Sequence, residues 1–528
     1  MEIFAAMAVA LRSRSVRVAL VLFVLSLAAL HALVYALPFE DAFITYRYAW
    51  NLVHGNGLVY NPGELVEGYS SFSWTLLLAL VHAAGFPLEE SSQLLSFACG
   101  VVVLVLTMTL HARVRDRVPQ SFPYGVGAAL LVIASGTWAF YAASGMETTL
   151  FCALLLAAVW LLLGERALTA GAVLGAAALT RPEGVGYAVL LLAALAARRE
   201  DRRSAGRAAL AFLGVWAPYF AWRYLRYGQL APNTYYAKAS ASLPLLLEGV
   251  TYSESFLVGR GFVVVYVVAA LRVLREPASR ELRLACALLA GALGMSVLVG
   301  GDTFAFHRFF LPAIPVGALV LVVVLERLAQ RRAQPWRQVA VAATIVLVAA
   351  AWVLCEQVPV STLLAHRTRS EYGRALVAAQ IDQEYRVVGR FLREHAKPGS
   401  WLAVNAAGIV PFESRLPTID MLGLNDAHIA HRAIRLGRGV IGHEKHDADY
   451  VLSRKPDLIL LGLPKLAPSM LAPQQAGTYY AQTFFALPGD RDLLHDPRLA
   501  RDYEPFYLHV GSGVLIGFVR KAAGNVLH

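Results

Sequence analysis

Hydrophobic residues run in long unbroken blocks through the first two thirds of the chain. In the last third they occur in short groups at helical or strand spacing. The long blocks lie near 16–37, 91–111, 124–143, 148–163, 168–180, 184–197, 207–224, 256–272, 283–299, 309–328 and 338–358. A helix needs about 20 apolar residues to cross the hydrocarbon core, so the pattern predicts about eleven transmembrane helices with soft ends. The first block is too long for a signal peptide and shows no small-x-small cleavage site, so it is read as a retained span. The segment 72–84 is apolar but short. It is read as a half-helix or an interfacial segment.

Beyond about residue 365 the pattern changes. Arg374 to Glu394 has the spacing of an amphipathic helix. Trp401 to Val404, Leu458 to Leu461 and Val514 to Val519 read as buried strands. Two domains follow: a membrane domain over 1–364, with a first outer loop at 38–71, and an α/β domain over 365–528.

Composition agrees with this division. The chain is 57% hydrophobic and 16% charged, with mean hydropathy +0.54. Soluble domains are nearer a quarter charged. The net charge of +11 would suit nucleic acid, but the arginines cluster between apolar blocks: Arg12, Arg14 and Arg17, then Arg198 to Arg207, Arg272 to Arg283 and Arg327 to Arg337. Such clusters mark cytoplasmic loops, so the charge reports topology and no nucleic-acid partner is expected. With the N-terminus cytoplasmic, the C-terminal domain lies outside the cytoplasm. Cys99, Cys152, Cys286 and Cys355 all fall in apolar blocks without metal-ligand spacing, so neither a disulfide framework nor a zinc site is predicted.

The topology puts an unusual set of polar residues on the outer face: Glu40, Asp41, Arg47, Glu67, Tyr69, Glu147, Arg181, Glu183, Asn233, Tyr235, Tyr236, Lys238, Asp302, His307 and Arg308. Ionisable groups near a bilayer face a bundle interior or a wet cavity, and here six loops converge on one side. The plainer reading is that each caps a helix end, and Glu147 and Glu183 fit it well. Arg308 opposes the positive-inside bias and therefore needs an anion: Asp302, a lipid headgroup or the phosphate of a lipid substrate. Asn233 and Lys238 add donors suited to phosphate or sugar hydroxyls.

The run Asp-Ala-Phe-Ile-x-Tyr-Arg-Tyr-Ala from Asp41, the glycine-rich stretch Gly55 to Ser70, and Pro-Asn-Thr-Tyr-Tyr-Ala-Lys ending at Lys238 resemble GT-C-fold glycosyltransferases. The nearest resemblance is to the terminal β-arabinofuranosyltransferases of mycobacterial cell-wall assembly. The matching covers most of the membrane part and little of the soluble domain. It implies a polyprenyl-phosphate-sugar donor, a cell-envelope glycan or lipid acceptor reached from outside, and an acid of the first outer loop as base. The matching position is Asp41. Relatives often carry two aspartates there, and this chain has Glu40 before Asp41, which leaves the first acid's role open.

Residue chemistry points the same way. Inverting transfer needs one base to deprotonate the acceptor hydroxyl. The leaving phosphate is already anionic and needs cations rather than an acid. The expectation is therefore a polytopic α-helical membrane protein of the GT-C fold in the bacterial plasma membrane, a monomer among membrane lipids, with a C-terminal extracytoplasmic α/β domain. Asp41 and Glu40 are the catalytic candidates. Arg308, His307, Lys238 and Arg181 are candidates for the donor phosphate. Arg47, Glu67, Tyr69, Asn233, Tyr236 and Asp302 are candidates for the sugar or acceptor. No cofactor is expected, and a divalent metal on Glu40 and Asp41 is not favoured. The rival reading is a lipid-linked-sugar flippase. It is disfavoured because transporter charges sit near midplane on repeated halves, and no repeat is visible.

Overall fold

The apolar blocks form helices in a computed structural model. The structure describes residues 13–37, 39–115, 122–238, 242–330, 335–357, 370–437, 439–440, 442–462, 466–467, 487–511 and 513–527. Three described helices are long and apolar enough to cross a membrane: Arg14–Leu33, Leu88–Val114 and Arg280–Leu298. Two bent pairs bring the number to as many as five if each pair is one broken span. Gly125–Ala134 and Gly136–Ala143 bend by 73°, and Leu243–Gly259 and Phe262–Arg275 by 91°. Shorter apolar helices fill other predicted blocks, among them Thr148–Leu163, Ala167–Thr180 and Gly184–Ala196. The apolar segment after the first outer loop is the helix Phe72–Ala83, whose 12 residues rise only about 18 Å.

By contacts the chain divides into two compact units. The first comprises 1–37, 92–221 and 247–375, and the second 38–91, 222–246 and 376–528. The expected linear boundary at 364/365 lies outside the described residues. The compact units cut across a linear division, because two upstream segments are woven into the C-terminal part. Arg47 donates to the carbonyls of Pro411 and Leu416, at 2.6 and 2.8 Å. The Tyr60 hydroxyl donates to Ala407 O at 2.6 Å. Asn61 donates to Thr418 O at 2.8 Å and accepts the Thr418 N–H at 3.0 Å.

In the first unit small residues allow close helix packing. A Cβ on Gly171 would lie 2.0 Å from the Ala208 carbonyl oxygen, and one on Gly175 would lie 2.6 Å from Val215. Glycines four apart on one helix let the neighbouring backbone approach, as membrane packing favours. Some charges on the expected inner loops are paired across helices. Asp201, 2% exposed, joins Arg280 and, at 3.0 Å, Arg283.

The second unit holds a five-stranded sheet: β1 (Leu402–Val404), β2 (Thr418–Asp420), β3 (Leu458–Leu460), β4 (Tyr503–Val510) and β5 (Gly513–Arg520). The order is β2-β1-β3-β5-β4. The first three run parallel and are buried throughout, as parallel strands require. The β4–β5 hairpin is antiparallel, and Pro505 sits in the edge strand β4, where a missing N–H is tolerated. The core includes Ala403, Ile419, Ile459, Leu461, Val514 and Ile516. The expected amphipathic helix is Glu371–His395, and it buries Ala379, Asp382, Tyr385, Val388 and Leu392.

Candidate active site

The second unit presents the paired acids in the first turn of the helix Glu40–Val53, where the helix dipole favours negative charge. The two side chains have different surroundings. The Glu40 carboxylate accepts the N–H groups of Gly408 at 2.6 Å and Ile409 at 2.8 Å. It thereby caps the short helix Ile409–Ser414. Residue 408 must be glycine, since a Cβ there would lie 2.0 Å from Glu40 O. Among the described residues no hydrogen bond or ion pair engages the Asp41 carboxylate, which is partly exposed.

Two further carboxylates belong to this group. Asp382 Oδ2 accepts the Glu40 backbone N–H at 3.3 Å. Asp420, at the end of β2, accepts the Leu422 and Asn425 N–H groups at 3.1 and 2.7 Å. Burial pushes Glu40 up to about 7, against the two backbone donors, and Asp41 and Asp420 add to the rise. Burial likewise raises Asp382 well above the usual carboxylate range, with Glu40 adding to it. It raises Asp420 to about 6.

Several expected sugar ligands have internal partners. Arg47, 5% exposed, also donates to Tyr60 O at 2.8 Å and Asn61 Oδ1 at 3.0 Å. Glu67 forms a buried bidentate pair with Arg223, with contacts of 2.5 to 3.1 Å. Asn233 donates to the carbonyls of Gly423, Leu424 and Asp426 at 2.8, 3.0 and 3.3 Å. Tyr69 is buried, with its hydroxyl 3.3 Å from that of Tyr227. Tyr236 stacks on His431 with ring centroids 4.3 Å apart. Lys238 is partly exposed, its stem beside Gly442.

The first unit places two of the cationic candidates, His307 and Arg308, on a strained loop. Gly300 and Gly301 have φ of 82° and 81°. Phe306 and His307 have φ of 65° and 50° without being glycine. Left-handed backbone at such residues costs energy and persists only where neighbours enforce it. Here Glu371 Oε2 accepts the Phe306 N–H at 2.6 Å, Arg374 donates to Thr303 O at 2.6 Å, and the Tyr141 hydroxyl donates to Ala305 O at 2.9 Å. His307 Nε2 lies 2.7 Å from Ser255 Oγ. His307, Arg374 and the Phe306 N–H hold Glu371 near 2 against its burial.

Arg308 pairs with Asp302 at 2.8 Å, which is one of the three partners expected for it. Arg181 pairs with Glu147 at 2.6 Å and Glu183 at 2.9 Å. Both guanidinium groups lie 5.5 Å from the Phe309 ring. The candidates thus fall in two groups: acids and polar residues with Lys238 in the second unit, the other cations with their carboxylates in the first.

Sequence reading missed Asp382, Asp420, Arg223 and Glu371. Asp382 had a signal, because it occupies the apolar stripe of its helix. Arg223 had one too, as a charge within an apolar block.

Comparison with known proteins supports this architecture. Residues 378–507 match a family described as a domain of unknown function (DUF8728). Over 238 residues the chain is 33% identical to the terminal beta-(1->2)-arabinofuranosyltransferase of Mycobacterium tuberculosis, covering 41% of this chain and 37% of that protein. ArnT from Cupriavidus metallidurans bound to undecaprenyl phosphate aligns with a TM-score of 0.54 at 14% identity, over 96% of this chain and 98% of that one. Its apo state gives 0.52 at 14% identity, over 94% and 97%. The chain has the GT-C fold: a polytopic helical membrane protein with a small C-terminal sheet domain.

Proposed function

We propose that this protein is a membrane glycosyltransferase that moves a sugar, arabinofuranose in the closest reading, from a polyprenyl-phosphate donor to a cell-envelope glycan or lipid on the outer face. The observation that carries the reading is the Asp41 carboxylate, which no described residue engages, beside a Glu40 that is committed to backbone donors. Asp41 takes the proton of the acceptor hydroxyl. That oxygen bonds to the anomeric carbon as the carbon–oxygen bond to phosphate breaks, with inversion. The phosphate leaves as an anion, met by Arg308 with His307, Arg181 and Lys238. Glu40, Asp382, Arg47, Glu67 and Asn233 act as positioning residues that fix the helix and loops around the base. Tyr236 contacts the sugar or acceptor, while the buried Tyr69 joins the positioning residues and Asp302 orients Arg308. The N-terminus is cytoplasmic and the C-terminal α/β domain extracytoplasmic. No metal takes part.

Supporting this reading are the sequence similarity to an arabinofuranosyltransferase and the shared fold with a protein crystallised with undecaprenyl phosphate. The test supplies purified protein with a panel of radiolabelled polyprenyl-phospho-sugars and the matching nucleotide sugars, with and without EDTA. Transfer from a lipid donor alone, unchanged by EDTA, is expected. Equal use of the nucleotide sugar, or donor translocation without transfer, overturns the proposal.

A further inference from the structure

The residue that ends the helix Ile409–Ser414 is a cation with no ion pair among the described residues. Arg415 has φ +60°, a left-handed conformation in a non-glycine residue. Its guanidinium lies 4.4 Å from the Trp50 ring and 4.1 Å from the Phe412 ring. A planar cation stacked on rings keeps its N–H donors at the edge, where they are free to grip an oxyanion. Among the described residues none makes a hydrogen bond or ion pair with that edge, and Nη1 is buried without an acceptor. The neighbouring acid Glu413 turns to Arg390, at 3.4 Å, and Arg386, at 3.9 Å. Burial, then the like charges of Arg393 and Arg47, push Arg415 down to about 10, with Glu413 opposing, so it stays charged at neutral pH.

A plainer account would have Arg415 complement the carbonyl end of its helix. That end is already served, because Arg47 takes Pro411 O and Leu416 O. Arg47 itself has only carbonyl partners among the described residues. Two adjacent cations thus lack a carboxylate, and a partly buried cation calls for a compensating anion.

The surroundings suggest which anion. Trp50 stacks on His54 at 3.9 Å, and His54 lies 5.8 Å from His82. His82 sits on Phe72–Ala83, the short apolar helix, where Leu80 is 70% exposed, with Phe86 just beyond it at 59%. Aromatic and basic groups beside exposed apolar side chains are what a membrane interface meets at headgroup level. Trp50 lies nine residues from Asp41 along one helix, about 14 Å and two and a half turns away, so this place is separate from the base.

We propose that Arg415, stacked on Trp50 and Phe412 beside Arg393, binds a phosphate group, as carried by an anionic lipid headgroup. The test is native mass spectrometry of the full chain in detergent, titrated with phosphatidylglycerol, diacylglycerol or inorganic phosphate. Wild type should retain phosphatidylglycerol over diacylglycerol. Arg415→Gln should weaken that binding roughly tenfold or more, and Arg415→Lys less. Arg393→Gln, at an exposed position that leaves the fold intact, should weaken it by a smaller factor. Competition by inorganic phosphate at equal concentration would identify free phosphate as the source, and failure to compete would identify the lipid. Unchanged binding of both phosphatidylglycerol and phosphate in Arg415→Gln, or equal retention of diacylglycerol, overturns the proposal. The readout does not depend on glycosyl transfer.

Discussion

In the second unit four carboxylates, Glu40, Asp41, Asp382 and Asp420, influence one another around a helix start. Their hydrogen-bond partners are mainly backbone N–H groups. In the first unit Arg181 and Arg308 are each matched by carboxylates at 2.6 to 2.9 Å. Backbone donors fix a carboxylate in place without neutralising it, so proton affinity rises with burial. Carboxylate partners hold a guanidinium oriented while keeping its charge compensated until another anion arrives. The first arrangement suits a group that must take a proton. The second suits a clamp that must stay ordered when empty.

The largest expected effect breaks the acid side of this contrast. Asp41→Asn should cut transfer by about 10²–10⁴-fold while donor binding and fold persist, because the amide keeps the shape and loses the basicity. Turnover at the wild-type rate would mean that another acid of the group is the base, with Glu40 or Asp382 next in line.

The cation side should respond differently. Arg308→Ala should weaken donor binding and lower kcat together, by about 10²-fold in kcat/KM, because a charge-assisted contact strengthens as the phosphate leaves. Arg308→Lys should recover part of the loss, since ammonium keeps the charge but not the fork. An increase in KM with kcat unchanged would mean that Arg308 holds the donor equally in ground and transition states.

How far the sequence foretold this contrast depends on the kind of signal. Apolar blocks and the amphipathic stripe of Glu371–His395 were legible because they repeat. Strands β1, β3 and β5 were legible as apolar runs, whereas β2 has one apolar residue, Ile419, between a threonine and an aspartate. Strand β4 carries Glu504 and Pro505 on an open edge, and neither residue announces a strand. Arg47, Glu67 and Asn233 stood out as polar residues in unusual runs. Only geometry shows that their partners are internal carbonyls and Arg223. The Arg308–Asp302 pair was one of three open choices, since six residues of loop can bend either way. Glu371 gave no signal, because an acid at a helix start is ordinary. Its tie to the strained Phe306 links positions 65 residues apart.

The smallest effect tests the physical origin of the contrast. Glu40, raised to about 7, and Asp420, raised to about 6, both bind protons more readily folded than unfolded. For such groups the stabilisation is fully present below the ordinary carboxylate range and is lost as pH rises through the folded value. Thermal stability of the purified protein should therefore decline between about pH 5 and pH 8 through this group. Glu371, held near 2, acts in the opposite sense, but only at pH values below its ordinary range, so it leaves this window untouched. Glu40→Gln removes the titrating carboxylate and should flatten the decline, with a difference in Tm on the order of 2 °C across the window. The amide also loses one of the two contacts to Gly408 and Ile409, so Tm should fall at every pH. The slope, rather than the level, carries the test. An unchanged slope in Glu40→Gln would mean that the backbone donors outweigh burial and that Glu40 is ionised throughout. The acid cluster would then be as fully compensated as the arginines of the first unit.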